Sequence, residues 1–196
     1  MKILLGVTGS IAAYKACDII SGLKANGHEV KVIMTESSKQ FITEMSLASI
    51  SGNVVTTTMW NELNGTIDHI DLAKWADVFL VAPATANIIA KIANGICDDV
   101  LSTIACVIEG KSIPKFIAPA MNTSMWQSPR TQKNLTSLQQ YNNKDIIHKH
   151  LLIKCYNVIP PDEGMLACGD TGEGKLANHR KIVDAIQYKL IELGLV

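Results

Sequence analysis

Three side chains of this 196-residue sequence could do chemistry that the rest could not: the imidazole of His69, the amide of Asn122 and the thiol of Cys168. Imidazole titrates near neutrality and is able to take a proton from a thiol, whose pKa is ordinarily about 8.5. A side-chain amide donates and accepts together, so it orients a polar group without adding charge. A thiol within a glycine-rich flap is exposed whenever the flap opens. Each also has a plain structural role. A histidine beside Asp68 and Asp71 serves as a cap or a solvated residue, Pro119 and Asn122 suit a turn, and cysteine is by habit a small buried hydrophobe.

Asn122 lies in Pro119-Ala120-Met121-Asn122-Thr123-Ser124-Met125-Trp126, just after Phe116-Ile117-Ala118, an apolar run that reads as a strand buried on both faces. Ligands of open α/β sheets lie at the carboxyl ends of strands, where this amide would stand. His69 precedes Trp75-Ala76-Asp77 and a second apolar strand, Val78 to Pro83; Ala84-Thr85-Ala86-Asn87 then opens a helix through Ile92, with a further helix through Val107. Residues 2 to 8 predict a strand that ends in Gly6-Val7-Thr8-Gly9-Ser10, before a helix from Ile11 to Lys24 closed by Asn26-Gly27. Small residues there admit a ligand to the backbone, and a helix N-terminus offers free N–H groups to a phosphate. The spacing lacks the full dinucleotide fingerprint.

A strand from Glu29 to Met34 ends at Thr35-Glu36-Ser37-Ser38, ahead of a helix that includes Phe41. These hydroxyls serve as N-caps, or together as donors to phosphate oxygens. Residues 44 to 57 predict a short amphipathic helix, a turn at Ser51-Gly52-Asn53 and a β-rich run from Val54 to Thr57, followed by a polar segment from Trp60 to Thr66. Ser128-Pro129 starts a helix to about Gln140. Val158 to Leu176, with four glycines and two prolines, reads as a flexible flap around Cys168, and Asn178 to Leu193 as a closing amphipathic helix. Alternating strands and helices in one chain of this length predict a single α/β domain, three-layered around a central parallel sheet as in flavodoxin-like and Rossmann-like folds.

Lys plus Arg balance Asp plus Glu at 18 each, and aromatic residues are few. No long-range field or basic, aromatic-interleaved stripe points to nucleic acid or an anionic membrane. The five cysteines include no pair at zinc-knuckle or redox spacing, which predicts reduced thiols, a cytoplasmic setting and no metal; His148 and His150 have no acidic or cysteine partner at ligand spacing. No apolar run is long enough to predict a membrane span.

The octet resembles the P-x-M-N-x-x-M-W signature of the flavin-dependent cysteine decarboxylases, and the similarity extends over most of the chain. Gly9-Ser10-Ile11-Ala12-Ala13-Tyr14-Lys15 is similar to the family's G-S/G-I-A-x-Y-K opening, Pro83-Ala84-Thr85-Ala86-Asn87 to P-x-S/T-A-N, and Gly164 to Gly174 to the substrate clamp G-x-L-A-C-G-x-x-G-x-G. The resemblance implies flavin mononucleotide (FMN) held by Gly9, Ser10, Ile11, Thr35, Ser37, Pro83, Ala84, Thr85, Ala86 and Asn87. It further implies substrate contacts at Met121, Asn122, Ala167 and Gly169 within a clamp at about 160–177. His69 would be the base, Asn122 the holder of the departing carboxylate and Cys168 the proton donor. The reaction implied is oxidative decarboxylation of phosphopantothenoylcysteine and re-reduction to phosphopantetheine, on the route to coenzyme A.

Trimers, alone or grouped into larger shells such as a dodecamer, are implied as well, and so is a separate phosphopantothenoylcysteine synthetase. The chain departs from the family pattern at Tyr141 to Lys154, a connection longer than usual. Rival readings are a peptidyl-cysteine decarboxylase of lantibiotic maturation, a branch marked by loss of the clamp cysteine, and an FMN-binding regulatory subunit without catalysis. A flavin prenyltransferase on a similar fold is disfavoured by the octet and the clamp.

Overall fold

The structure is a computed structural model that describes residues 1–60, 68–140 and 155–196; the predicted extra connection at 141–154, with His148 and His150, lies outside them, as do residues 61–66 of the predicted polar segment. Its centre is a parallel sheet of five strands in the order β2-β1-β3-β4-β5. These are β1 (Lys2–Val7), β2 (Glu29–Met34), β3 (Val78–Ala84), β4 (Lys115–Pro119) and β5 (Tyr156–Val158). Successive side chains of a strand point to opposite faces, so continuous apolar runs supply two cores at once. Ile3, Leu5 and Val7 of β1, with Leu80 of β3, pack under α1 (Ala16–Ala25) and α8 (His179–Glu192). Leu4, Phe79 and Val81 face the other way. There they meet α3 (Asp68–Trp75), α4 (Ala86–Ala93), α5 (Val100–Glu109) and α7 (Pro129–Gln139). The wholly buried Ile19, Ile20 and Leu23 of α1 each contribute about 2 kcal/mol by leaving water. The predicted three-layer α/β fold is the one observed.

Local sequence sets the helix starts. Thr85 accepts from the N–H of Ile88 at 3.4 Å to open α4. Asp99 and Ser102 form a reciprocal capping box at α5. Lys91 of α4 holds the intervening turn through Asp98 and Asp99, at 2.6 and 2.7 Å. Lys111 Nζ donates to the carbonyls of Ala73 and Ala76 at 2.6 and 3.0 Å, anchoring the C-terminal end of the helix that carries His69.

Several boundaries differ from the sequence reading. The first helix opens as a 3-10 turn at Ile11–Lys15, because Ser10 Oγ accepts from the N–H of Ala12 and tightens it. Phe41 is not helical; it ends a 3-10 turn at Glu36–Gln40. The helix α2 (Glu44–Ser51) is present, but the β-rich run after it contributes one bridge, Thr56 to Ile33, rather than a strand. Strand β5 was not foreseen. The predicted flap contains an antiparallel hairpin, β6 (Asp162–Met165) and β7 (Thr171–Lys175), and the octet contains a short helix, α6 (Thr123–Trp126).

Candidate functional site

The strand order reverses between β1 and β3, and an open parallel sheet offers its ligand cleft at the carboxyl ends of strands that diverge at such a point. One side chain spans the gap. Thr8 Oγ1 donates to the carbonyl of Pro83 at 2.6 Å and accepts from the N–H of Thr85 at 3.2 Å, beyond the last β1–β3 register pair, Gly6 and Val81. On the other side, Gly9 lies so close to Ser37 that a Cβ would come within 2.5 Å of Ser37 Cβ; only glycine lets these connections touch.

The hydroxyls after β2 divide by their bonding. Ser38 is buried and donates to the carbonyl of Thr35 at 2.6 Å, so it is committed. Thr35 Oγ1 is buried with no partner, and Ser37 is exposed. An orphaned buried hydroxyl is costly unless something bonds it, and a phosphate oxygen would. Thr85 has its hydroxyl on the α4 cap, while Asn87 is exposed on the first turn.

Next to this cleft lies a cavity of about 490 Å³, lined by the first βα connection, the octet and the hairpin. Asn122 caps α6: its Oδ1 accepts from the N–H of Ser124 at 2.8 Å, which turns Nδ2 toward Cys168 Sγ, 3.6 Å away. The Cys168 thiol donates in turn to Asp170 Oδ2 at 3.3 Å. The amide therefore offers its donor to the cavity, the group an anionic carboxylate requires. Gly174 rests on the octet with φ of 128°, and any Cβ there would strike the carbonyl of Met121. Lys15 and Lys175 line the same cavity, and neither has a carboxylate within ion-pair distance among the described residues. Burial pushes the Lys15 ammonium below the ordinary lysine range, and the charge of Lys175 adds to the effect.

The sequence model of the Flavoprotein family matches residues 1–191. The chain belongs to the Flavoprotein family. Its relatives include the "Probable phosphopantothenoylcysteine decarboxylase" of Streptococcus mutans, 42% identical over 190 residues, which are 96% of this chain and 98% of that protein. The "Coenzyme A biosynthesis bifunctional protein CoaBC" of Borreliella burgdorferi is 41% identical over 184 residues, 94% of this chain and 43% of that protein, so the chain spans less than half of that relative. Among solved structures, a Cys-to-Ser mutant of PPC decarboxylase complexed with pantothenoylaminoethenethiol superposes with a TM-score of 0.78 at 33% identity, covering 96% of this chain and 97% of its own. "The FMN binding protein AtHal3" does so at 0.74 and 32% identity, covering 97% of each.

Within this flavoprotein, Ser10, Ile11, Met121, Asn122, Ala167 and Cys168 line the shared cavity. Gly9, Thr35, Ser37, Pro83, Ala84, Thr85, Ala86 and Asn87 belong to the adjoining strand ends and the turns that follow them, and Gly169 is in the hairpin turn beside Cys168. His69 does not line the cavity; it sits on α3 with its Nδ1 buried and unpartnered. Sequence reasoning did not single out Thr8 or the two lysines. The lysine of the β1–α1 connection stands inside a quoted motif, and a cation beside a glycine turn was the available signal. Among the described residues no cluster of three or more metal-ligating side chains occurs, and no helix is long and apolar enough to cross a membrane.

Proposed function

We infer that this flavoprotein is an FMN-dependent decarboxylase that converts phosphopantothenoylcysteine to phosphopantetheine. The observation that carries the reading is the Asn122–Cys168 contact beside a cleft at the β1/β3 reversal, an amide donor and a thiol facing one cavity. The names of the relatives and the bound pantothenoylaminoethenethiol of the neighbouring structure support the same chemistry.

The residues at the cleft fit FMN. The free hydroxyl of Thr35, the exposed Ser37 and the backbone of Gly9 and Ser10 would receive the phosphate, and the small residues from Pro83 to Ala86, with Asn87, would flank the ring. When bound, flavin supplies a reversible hydride acceptor, so the thiol carbon can be oxidised to C=S and the carboxylate beside it can leave with its electrons drawn toward sulfur. The imidazole of His69 would accept the thiol proton. Asn122 Nδ2 would donate to the carboxylate as it departs. Cys168 Sγ would give its proton to the enethiolate, and Met121, Ala167 and Gly169 would enclose the chain of the substrate. Lys15 and Lys175 supply positive charge for a substrate phosphate, a feature that favours the phosphorylated small molecule over a peptide.

His69 is absent from the lining, and Ile11 and Tyr14 at the cavity are 58% and 57% exposed. Both facts fit an assembly in which a second copy covers this face and contributes its imidazole. We therefore propose trimers, alone or grouped into a larger shell, working in the cytoplasm alongside a synthetase activity. The test feeds purified, flavin-loaded protein phosphopantothenoylcysteine, its unphosphorylated form and a peptide ending in cysteine, and follows carbon dioxide loss by mass spectrometry. The phosphorylated compound should turn over fastest. Turnover of the peptide alone would replace this reading with the peptide one.

A further inference from the structure

The hairpin that carries Cys168 is fastened to the body at two levels. At its root, Asp162 pairs with Lys181 at 2.8 Å and accepts from the N–H of Asn178 at 2.8 Å. Midway, the N–H of Met121 donates to the carbonyl of Gly174 at 2.9 Å and Thr123 Oγ1 to the carbonyl of Glu173 at 2.8 Å. The Glu173 side chain then reaches over α6, where its Oε2 accepts from the indole N–H of Trp126 at 3.1 Å. Beyond this level Gly172 packs against Thr123, and among the described residues the one hydrogen bond from hairpin to octet is the long Asn122–Cys168 contact at 3.6 Å. An N–H to sulfur contact of that length is too weak to hold a strand pair down. What keeps the thiol beside the amide is therefore the fastening one level below.

We propose that Glu173 is a positioning residue: its carboxylate, clasped by Trp126, latches the hairpin onto the octet and so sets how long Cys168 stays against Asn122. Of the midlevel bonds, the Trp126 bond is the only one between two side chains and the only one with an ionised acceptor, so it can break and re-form without disturbing the β6–β7 ladder. Opening would carry Cys168 away while leaving Asn122 in place, because Asn122 is fixed by its own cap bond to Ser124. The latch thus acts on the proton-delivering half of the reaction and not on carboxylate departure; this assignment of halves rests on the function inferred above.

The test uses the flavin-loaded protein with Glu173→Ala, Glu173→Gln and Trp126→Phe. Amide hydrogen exchange across residues 162–175, without substrate, should quicken roughly fivefold in Glu173→Ala and in Trp126→Phe, as expected for loss of one exposed charge-assisted bond. It should be intermediate in Glu173→Gln, whose amide oxygen still accepts from the indole but without the charge. During turnover of phosphopantothenoylcysteine, the fraction released as oxidised enethiol should rise by a similar factor in the first two variants, with carbon dioxide release changed less than about twofold. Unaltered exchange in Glu173→Ala, or a glutamine variant as loose as the alanine one, overturns the latch. Faster exchange without more enethiol overturns its link to Cys168. If the unmodified protein decarboxylates nothing, the functional reading falls and the exchange experiment still decides the latch.

Discussion

The two walls of the site are built by different means. At the β1/β3 cleft, contacts are made by groups rooted in strand ends: the buried Thr8 ties the β3 end, and the next connection abuts Ser37 through Gly9. The hairpin wall is exposed, touches the octet through a few bonds, and has its own ladder rather than a share of the central sheet. A cofactor that must return unchanged after each cycle suits the first kind of wall. A substrate that must enter and leave suits the second.

The sharpest challenge to this division is Asn122→Asp, which replaces the amide donor with an anion at the meeting of the two walls. Carbon dioxide release in single-turnover experiments should fall by about 10²–10³-fold, the usual loss when one preorganised donor is removed, while the visible flavin spectrum persists. Retained rapid release would take Asn122 out of the chemistry. Thr8→Val addresses the fixed wall alone. It keeps shape but leaves the carbonyl of Pro83 and the N–H of Thr85 without their shared partner, so urea denaturation should show a loss of about 2 kcal/mol and the flavin should dissociate more readily. An equal loss of stability from Glu173→Ala would erase the distinction between the walls.

The smallest effect concerns the hairpin root. The hydrogen bond from Lys181, followed by that from the Asn178 N–H, holds the Asp162 carboxyl below its ordinary value of 3.8. Its contribution is fully present above that ordinary value and disappears as pH falls through the lowered one. For so exposed a pair it amounts to a few tenths of a kcal/mol. Thermal melts of Asp162→Asn should thus lack a shallow acid-side decline seen in the unmodified protein.

Strands β1, β3 and β4 were readable because strands buried on both faces write themselves as apolar runs, as in Val78 to Pro83, and the edge strand β2 through Val30, Val32, Ile33 and Met34 beside the charged Glu29 and Lys31. Helices α4, α7 and α8 announced themselves through Thr85, Ser128-Pro129 and Asn178. Strand β5 escaped because it is three residues long with only Tyr156 buried, too short for a period. The pairing within the flap is not legible because glycines at 164, 172 and 174 hide the alternation of a strand, although those at 172 and 174 are what lets it lie against the octet. At the site, Asn122 and Cys168 were legible as neighbours through their motifs. The role of Thr8 was not, since a threonine before a glycine turn gives no sign of the strand 75 residues away that it will bridge.

That bridge has a bearing on how the protein acquires its prosthetic group. One hydroxyl, bonded on both sides, ties the two strand ends together. A cleft fixed in this way should admit flavin without refolding, so stripped protein is expected to regain colour on simple mixing.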